Sequence, residues 1–425
     1  MARKRTVPLI TDFANIPAEA LVPEGEQPYE IPSHWKWVLL GSICNLLSGR
    51  DEPLSECNAE GSGIPYVMGA SNLSNAGLTV ERWIAQPKVV SESGDLLISV
   101  KGTVGKLYIQ QEPELNLSRQ IMAIQPGELI EVTYLLQHVS EALLGIQQRA
   151  VGLIPGISRA VLLSLPIPLP PIDEQKSVVK KLQSTNQKID DVLDRLDQFL
   201  DQVPQQRASI IQAGVSGMLT EDWRAENGQS REDWVESTLG GTFRWASGGT
   251  PARSNRAYFQ GHIPWIKSGE LPDGLIDGVA EYITEDAISS SSAKVFPKDS
   301  VAIAMYGATI GRTGILAFDA ATNQAVAVAA KNEEVDSRLL FYFLQASRER
   351  FVSLGKGGAQ PNISQTVIKS FQFEYPVGDE QGEIVAVIEA ALSGIETAYK
   401  ITLDVREKVQ AAKRAVRNRA LRGIV

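Results

Sequence analysis

The chain has 425 residues with a net charge of −9 at pH 7; 43% of its residues are hydrophobic and 21% are charged. This length is too great for one ordinary hydrophobic core, so two or more domains are expected. The acidic balance argues against a strong non-specific nucleic-acid binder, and no stretch is long and apolar enough to span a membrane.

The cysteine content and the N-terminus indicate a cytoplasmic protein. Cys44 and Cys57 are the two cysteines and form no CxxC motif, which favours a reducing compartment. The basic segment Met1–Arg5 is not followed by an apolar run, which argues against a secretion signal. We therefore expect a soluble, cytoplasmic chain that has no membrane partner.

The start of the chain predicts an arm followed by a β-rich domain. Prolines recur through residues 1–32, which indicates an irregular N-terminal arm. Residues 33–169 contain short β-branched and apolar runs separated by Gly and Pro, such as Leu96–Val100 and Leu107–Ile109, and these runs predict strands. One helix is expected at about Val132–Gln148.

A long helix is predicted over residues 170–219. Pro170 and Pro171 end any earlier helix, and Asp173 and Glu174 place negative charge where a helix N-terminus favours it. The apolar residues that follow are spaced mostly by three, four or seven, which is typical of a coiled-coil seam. They include Val178, Leu182, Ile189, Val192, Leu196, Phe199 and Val203.

The second half of the chain repeats the first. After a polar, aperiodic linker at 220–233, residues 234–375 repeat the β-rich pattern, and residues 376–425 repeat the helix with the same Asp-Glu-Gln start. Asp379 minus Asp173 is 206, and this offset aligns the two helical runs. Looser matches join Ile64–Val67 with Ile263–Ile266, Gly102–Lys106 with Ala308–Arg312, Arg119–Gln120 with Asn323–Gln324, and Pro155–Ser158 with Pro361–Ser364.

This tandem organisation defines the expected fold class. We predict an α+β fold with two β-rich globular domains separated by two long helices, arranged as a pseudo-twofold tandem repeat. Each helix has a narrow apolar seam, which suits pairing of the two as an antiparallel coiled coil. The seam of the second helix contains Ile384, Ile388, Ala391, Ile395, Ala398, Val405, Val409, Ala412 and Val416.

Several of these motifs, in this order and duplicated, resemble a known family. They are the Asp-Glu-Gln starts at 173–175 and 379–381, the helix exit Gly217–Arg224, and the segments Gln360–Ser364, Ser247–Pro251 and Gly307–Gly311. Together they resemble the specificity subunit of type I restriction-modification enzymes. The resemblance implies two target recognition domains, each of which reads one half of a split, asymmetric site in double-stranded DNA.

The resemblance also assigns roles to the helices and to partner subunits. It implies that the helices set the spacing and dock methyltransferase subunits, which we expect to number two, with restriction or translocase subunits as further partners. S-adenosylmethionine, ATP and Mg would belong to those partners, and this chain is expected to bind no cofactor. About thirty helical residues span roughly 45 Å, long enough to hold two domains about one DNA turn apart.

The motifs of catalysis are missing from the sequence. There is no Asn/Asp-Pro-Pro-Tyr motif for adenine methylation and no Walker A sequence. His34, His138 and His262 are far apart and lack ligand spacing, so no metal site is predicted. We therefore expect a chain that is not an enzyme by itself. Two alternatives stay open, which are a nuclease or methyltransferase with an unrecognised site and a coiled-coil adaptor whose β-rich domains bind protein or glycan.

Base readout requires bidentate donors on loops or at a strand edge. The candidates in the first domain are Lys101, Thr103, Lys106, Arg119 and Gln120. Those in the second domain are Arg253, Lys267, Tyr306, Thr309, Arg312, Asn323 and Gln324. The match of Lys106 with Arg312 favours phosphate positioning, and the mismatch of Arg119 with Asn323 fits different base readout in the two halves. At each position the alternative is an ordinary solvated surface residue.

Overall fold

The chain folds into two units, each of which combines a β-rich domain with parts of both long helices. The computed structural model describes residues 9–74, 77–149, 156–355 and 362–424, with the backbone alone for 144–149. The first unit comprises residues 1–194 together with 406–425, and the second comprises residues 195–405.

The first unit is built from short strands and the start of a long helix. Its strands are β1 (Lys36–Leu39), β2 (Cys44–Ser48), β3 (Cys57–Asn58), β4 (Ile64–Val67), β5 (Leu73–Ser74), β6 (Gly77–Leu78), β7 (Trp83–Ile84), β8 (Val90–Glu92), β9 (Leu96–Ser99), β10 (Leu107–Ile109), β11 (Glu114–Leu117), β12 (Ile121–Pro126) and β13 (Pro166–Leu169). Its helices are α1 (Leu40–Ile43), α2 (Val132–Arg149), α3 (Arg159–Leu163) and the first part of α4 (Ile172–Val215). The strands predicted at 96–100 and 107–109 and the helix predicted at 132–148 are confirmed.

Two sheets form the body of the first domain. One has the strand order β10-β9-β12-β2, and the other has the order β3-β7-β4-β11-β8, in which β4 and β11 are parallel. Strand β9 separates two hydrophobic clusters, because Leu96 and Ile98 belong to one cluster and Leu97 belongs to the other. Burial on both faces explains why this strand is a continuous apolar run.

The second unit repeats this set of elements. Its strands are β14 (Val235–Thr238), β15 (Trp245–Ser247), β16 (Ile263–Ile266), β17 (Gly274–Ile276), β18 (Glu281–Ile283), β19 (Val295–Phe296), β20 (Val301–Ala304), β21 (Thr313–Leu316), β22 (Ala320–Thr322), β23 (Val326–Ala329) and β24 (Gln372–Tyr375). Its helices, besides the end of α4, are α5 (Glu221–Glu226), α6 (Leu239–Thr242), α7 (Glu285–Ser289), α8 (Ser337–Ala346), α9 (Arg348–Leu354), α10 (Gln365–Lys369) and the first part of α11 (Glu380–Leu421).

The sheets of the two domains correspond strand by strand. The order β15-β23-β20-β21 repeats β2-β12-β9-β10, with β17 added parallel to β21 at the edge. The order β18-β16-β22-β19 repeats β7-β4-β11-β8, including the parallel central pair. The pairs β1–β13 and β14–β24 are likewise equivalent. The sequence repeat is therefore a repeat of structure.

Two segments outside the sheets are more ordered than their composition suggests. In the N-terminal arm, Ala20 and Val22 are buried, and Val22 N donates to Trp37 O at 3.0 Å. The stretch 220–233 differs from the polar linker expected, because it contains α5 and a short 3-10 helix at Arg231–Asp233. Its helical form depends on a partner distant in sequence, since buried Arg224 is ion-paired with the carboxylate at position 380.

In the first unit, the start of α4 packs against the end of α11. Val178 and Leu182 share a core with Leu421, and further along α4 the carboxylate of Asp190 forms an ion pair with Lys413. Increasing residue numbers on α4 therefore meet decreasing numbers on α11.

The same antiparallel pairing occurs in the second unit. Ile211 of α4 packs with Ile384 and Ile388 of α11. At Gly214 a Cβ atom would lie 2.2 Å from Ile388 Cγ1, so the missing side chain allows close approach of the helices. The predicted antiparallel pairing of the two long helices is confirmed within each unit.

The predicted seam is wrong at three positions. Val192, Val405 and Ala412 were assigned to it, yet all three residues are exposed, Val192 by 43% and Val405 by 37%. A straight α-helix has 3.6 residues per turn and drifts about 20° per heptad from a strict seven-residue repeat. A seam drawn with sevens therefore turns out of the contact toward the middle of long helices.

Gln175 ties the start of α4 to the first domain. Its Oε1 accepts a hydrogen bond from Glu131 N (2.9 Å), and its Nε2 donates to Leu129 O (2.8 Å) and Pro170 O (2.9 Å). The side chain is fully buried. These bonds satisfy backbone groups just before α2, so the glutamine fixes where the long helix leaves the domain.

Gln381 repeats this arrangement in the second unit. Its Oε1 accepts from Asp336 N (2.8 Å), and its Nε2 donates to Glu334 O (2.9 Å) and Pro376 O (2.8 Å). The duplicated Asp-Glu-Gln motif therefore has a structural explanation in its glutamine, which joins each long helix to its β-rich domain.

Replacing Gln381 with Leu should destabilise the second unit by about 2–4 kcal/mol, because buried backbone groups would lose their partners. The free energy of unfolding, measured in urea by tryptophan fluorescence, tests this. Gln202→Leu, on an exposed position of α4, is the matched control. Equal stability of the two variants would contradict the assigned role.

His138 is a buried titratable group in the first unit. Its ring packs on Tyr134 with 4.5 Å between centroids. Burial, reinforced by the positive charge of Arg417, lowers the pKa of His138 from 6.5 to about 3. The folded chain therefore holds this histidine neutral under conditions in which the unfolded chain protonates it.

Stability of the first unit should consequently fall as pH falls below about 6.5. Between pH 7 and pH 5 the wild type should lose about 2 kcal/mol more than His138→Leu, because only the wild-type unfolded state binds the extra proton. Urea unfolding at several pH values measures this difference. His262→Leu, at an exposed position, serves as the control; identical pH profiles for the wild type and His138→Leu would refute the prediction.

Candidate nucleic-acid interface

Four loops of the first domain meet beside the carboxyl ends of the parallel strands β4 and β11. We call residues 49–52, 68–72, 100–106 and 118–120 the first loop face. Backbone hydrogen bonds hold these loops together. They run from Arg50 N to Leu117 O (2.8 Å), from Ser118 N to Val67 O (3.0 Å) and from Val100 N to Gln120 O (2.8 Å).

The second domain builds an equivalent surface, the second loop face, from residues 248–251, 267–271, 305–312 and 323–325. Its backbone bonds correspond one by one to those of the first face. They run from Gly249 N to Thr322 O (2.9 Å), from Asn323 N to Ile266 O (2.9 Å) and from Met305 N to Ala325 O (2.9 Å). The scaffold beneath both faces is therefore the same.

These bonds correct one alignment made from sequence. Because the N–H groups of Ser118 and Asn323 donate to equivalent strand ends, Ser118 is the equivalent of Asn323. Arg119 is therefore equivalent to Gln324, and the predicted match of Arg119 with Asn323 is wrong by one residue. The sequence match had paired the two glutamines, Gln120 and Gln324, whereas Val100 N donates to Gln120 O and the equivalent Met305 N donates to Ala325 O.

The match of Lys106 with Arg312 agrees with the structure. Ser99 N donates to Lys106 O (2.9 Å), and Ala304 N donates to Arg312 O (2.8 Å), at the same point of the equivalent loops. Both loops also turn through left-handed glycines, at 102 and 105 in the first domain and at 307 and 311 in the second. These backbone conformations favour glycine, which accounts for the repeated Gly pattern.

All five residues predicted in the first domain lie on the first loop face. Thr103 and Gln120 line a cavity of about 260 Å³ together with residues 68–71. Lys101 and Lys106 are exposed on the same loop as Thr103. The structure thus brings together two segments, 101–106 and 119–120, that the sequence placed side by side only as a hypothesis.

Arg119 is held in place by a residue that sequence reasoning missed. Its Nε lies 2.7 Å from Asp51 Oδ2, and its backbone N donates to Asp51 Oδ1 at 3.1 Å. The Arg119 side chain is nevertheless 69% exposed. The carboxylate therefore orients the guanidinium without burying it.

Six predicted residues of the second domain lie on the second loop face, and five of them are on the segments 305–312 and 323–325. Tyr306 is exposed, and its carbonyl accepts a hydrogen bond from Thr309 Oγ1 (2.8 Å). Asn323 Oδ1 accepts from Ala325 N (3.2 Å), which folds the carboxamide back onto its own turn. Arg312 is half-buried on the loop that carries Tyr306, and Gln324 is exposed.

Arg253 and Lys267 are gathered by Glu281, another residue that the sequence did not single out. Glu281 accepts from Arg253 Nη1 at 2.6 Å and from Lys267 Nζ at 2.6 Å. The hydrogen bond from Arg253, followed by that from Lys267, lowers the pKa of Glu281. The guanidinium of Arg253 also lies over the rings of Phe259 and Trp265, at 4.3 and 4.9 Å. These cations are partly neutralised within the domain.

Close backbone approach fixes the two loops that carry Asp51 and its equivalent, Thr250. A Cβ atom at Gly49 would lie 2.1 Å from Ser118 O, and one at Gly248 would lie 1.9 Å from Thr322 O. Only glycine fits at such separations. The repeated Ser-Gly pairs at 48–49 and 247–248 were the sequence signal that could have located these loops.

Two findings on the described residues concern metal binding and membrane insertion. Between residues 9 and 424, outside the gaps named above, no cluster of three or more His, Cys, Asp or Glu side chains could hold a metal ion. Across the same described segments, no helix combines the length and apolarity that crossing a membrane requires.

Comparison with known proteins gives the same duplicated organisation. The family model for the type I restriction modification DNA specificity domain matches the chain twice, at residues 32–202 and 231–404. The crystal structure of the HsdS subunit from Thermoanaerobacter tengcongensis has a similar fold, with a TM-score of 0.65 and 16% identity over 94% of this chain and 100% of that chain.

Relatives by sequence are specificity subunits. The StySPI specificity subunit of Salmonella potsdam is 23% identical over 93% of this chain and 90% of its own length. The EcoR124I/EcoR124II specificity subunit of Escherichia coli is 27% identical over 37% of this chain, and the match spans 41% of that relative's length. The chain therefore belongs to the type I restriction-modification DNA specificity family, and it is a specificity subunit with two such domains.

Proposed function

We propose that the chain gives a type I restriction-modification complex its sequence specificity by reading a bipartite, asymmetric DNA site, one half with each domain. The observation that carries this proposal is the duplicated loop face. Equivalent backbone hydrogen bonds hold both faces, while the side chains on them differ. One scaffold that presents two sets of donors suits two unrelated half-sites.

The side chains of the two faces divide into shared and differing positions. Lys106 and Arg312 are both cations at one equivalent position, which suits a phosphate contact. Arg119 and Gln324 differ at another, and so do Lys101 and Tyr306. Positions that keep their charge set the register on the duplex, and positions that change carry the sequence information.

The long helices supply the docking surface for two methyltransferase subunits. Each helix ends at a left-handed glycine, Gly217 or Gly423, followed by an exposed apolar residue, Met218 or Ile424. Two equivalent apolar points on one chain support the binding of two copies of one partner. We retain 170–219 and 376–425 as the spacer segments and 33–169 and 234–375 as the recognition domains.

The chemistry of the complex belongs to the partner subunits. Methyl transfer uses their S-adenosylmethionine, and translocation and cleavage by any restriction subunit use ATP and Mg. This chain takes part as the reader and binds no cofactor. Such a role places it in the cytoplasm, where the DNA is.

Charge limits what the chain can do alone. Residues 241–365 contain 12 Lys or Arg and 12 Asp or Glu. A neutral domain gains little from the phosphate backbone, so the isolated chain should bind DNA weakly and need partners to close on the duplex.

Co-expression with its methyltransferase subunits, in a host that lacks adenine methylation, should produce methylation at a two-part motif with an undefined gap. The motif is measured by methylation-sensitive long-read sequencing, and the control lacks this chain. Methylation that persists without the chain, or a motif that forms one uninterrupted block, would overturn the proposed function.

Replacing Arg312 with Ala should weaken binding of the complete complex about tenfold at low salt and reduce the slope of log affinity against log salt by about 1, because one phosphate contact is lost. Equilibrium binding across a salt series measures both quantities. Lys298→Ala, at an exposed site outside the loop face, is the control. An unchanged slope in Arg312→Ala would remove this residue from the interface.

A further inference from the structure

One position of the loop face carries a different, individually held side chain in each domain. Arg119 and Gln324 occupy it, as the equivalent backbone bonds on either side establish. Each side chain contacts the residue that faces it on the neighbouring loop, which is Asp51 for Arg119 and Thr250 for Gln324. Asp51 forms an ion pair with the Nε of Arg119, and Thr250 Oγ1 donates to Gln324 Oε1. Both members of the pair differ between the two domains, whereas their positions on the two loop faces are equivalent.

The contact with Asp51 leaves the two Nη groups of Arg119 available to bind a base. Asp51 Oδ2 lies 2.7 Å from Nε in an ion pair, and Asp51 Oδ1 accepts a hydrogen bond from the backbone N–H. Among the described residues, neither Nη group of Arg119 forms a hydrogen bond. Two parallel N–H donors on a fixed fork match the O6 and N7 acceptors of guanine in the major groove. Because Asp51 already restrains the guanidinium, the side chain loses less rotamer entropy when it binds a base.

The hydrogen bond from Thr250 likewise leaves the carboxamide of Gln324 able to bind a base. Thr250 occupies one lone pair of Oε1 and leaves the second lone pair and both Nε2 hydrogens. A carboxamide with one donor and one acceptor side by side matches N7 and the N6 amino group of adenine. A threonine has one side-chain oxygen and no charge, so it could not hold both the Nε and the backbone N–H of Arg119 as Asp51 does. An aspartate at position 250 would repel Oε1 of Gln324.

The alternative interpretation is that these two pairs are ordinary surface contacts with no role in DNA recognition. An exposed ion pair contributes little to stability, so Asp51 and Arg119 are not needed to hold the fold. Their loops are already fixed by Gly49, whose Cβ would collide with Ser118 O. A rigid base below an exposed, oriented side chain is the geometry that base readout requires.

We infer that this position reads one base in each half-site, with Arg119 selecting guanine and Gln324 selecting adenine, and with Asp51 and Thr250 as positioning residues. The inference rests on the proposed function and adds to it which side chain reads which base. It requires a guanine in the half-site of the first domain and an adenine in the half-site of the second.

Exchange of the pairs tests the inference in the complete complex, with the methylated motif as the readout. Asp51→Thr with Arg119→Gln should change one guanine to adenine in one half-site and leave the other half unchanged. The reciprocal variant, Thr250→Asp with Gln324→Arg, should change one adenine to guanine in the other half. Discrimination at that base should shift about 10- to 100-fold, as expected for one bidentate pair.

Two single substitutions separate reading from phosphate contact and from structure. Arg119→Met removes both donors at similar side-chain length, so the guanine should become degenerate, whereas loss of a phosphate contact alone would leave the guanine strict. Asp51→Ala should relax the same base without altering the thermal stability. Asp336→Thr with Arg338→Gln is the matched control, because it alters another, half-buried Asp–Arg pair away from both loop faces and keeps a residue able to cap α8.

The outcomes are distinguishable. A wild-type motif retained by both exchange variants, or a strict guanine in Arg119→Met, would overturn the inference and leave the proposed function standing. A wild-type motif whose halves contain no guanine would do the same. The lack of any two-part motif in the wild type would overturn the proposed function, and the inference with it.

Discussion

The packing of each helix end against the domain of the other repeat is the constraint on which the structure depends. Gly217, which ends α4, lies against Trp234, where a Cβ atom would come within 2.7 Å of the ring. Gly423, which follows α11, lies against Trp35 and Pro32 in the same way. Both glycines are left-handed, a common way to end a helix. Each unit therefore contains the end of the helix that begins in the other repeat, with residues 195–215 of α4 in the second unit and residues 406–421 of α11 in the first.

The Asp-Glu-Gln motif shows how this closure is maintained and where the repeats diverge. Glu380 is buried and is bonded to Arg224 (2.6 Å) and Trp234 Nε1 (3.0 Å). A buried carboxylate needs such partners, because an unpaired buried charge is strongly destabilising. The equivalent Glu174 instead contacts His34 at 2.9 Å. The glutamine of the motif keeps its role in both units, whereas the glutamate is adapted to the local helix end.

Features of the fold that depend on residues close in sequence could be predicted, and features that depend on residues distant in sequence could not. Helices and strands were predictable because periodicity and apolar runs record local burial, as in the run that forms β9. The linker was not, because α5 depends on an ion pair from Arg224 to a residue 156 positions away. The alignment of Arg119 failed because it paired two residues of the same type, Gln120 and Gln324, whereas the backbone hydrogen bonds make Gln120 equivalent to Ala325. Asp51 was missed because it lies 68 positions from the arginine that it orients.

The charges on the long helices explain why specificity can depend on both domains together. The basic run at the end of α11 is used within the first unit, where Lys413 pairs with Asp190, Arg417 donates to Gln137 O, and Arg422 lies over Tyr29. These cations are engaged inside the chain, and the second domain is neutral, so under the proposed function charge adds little to the binding of each half-site. When two weak readers are joined in one chain, the second binds at high effective concentration once the first has bound. A mismatch in either half would remove that gain, and the proposed complex would then discriminate as one reader of the whole site.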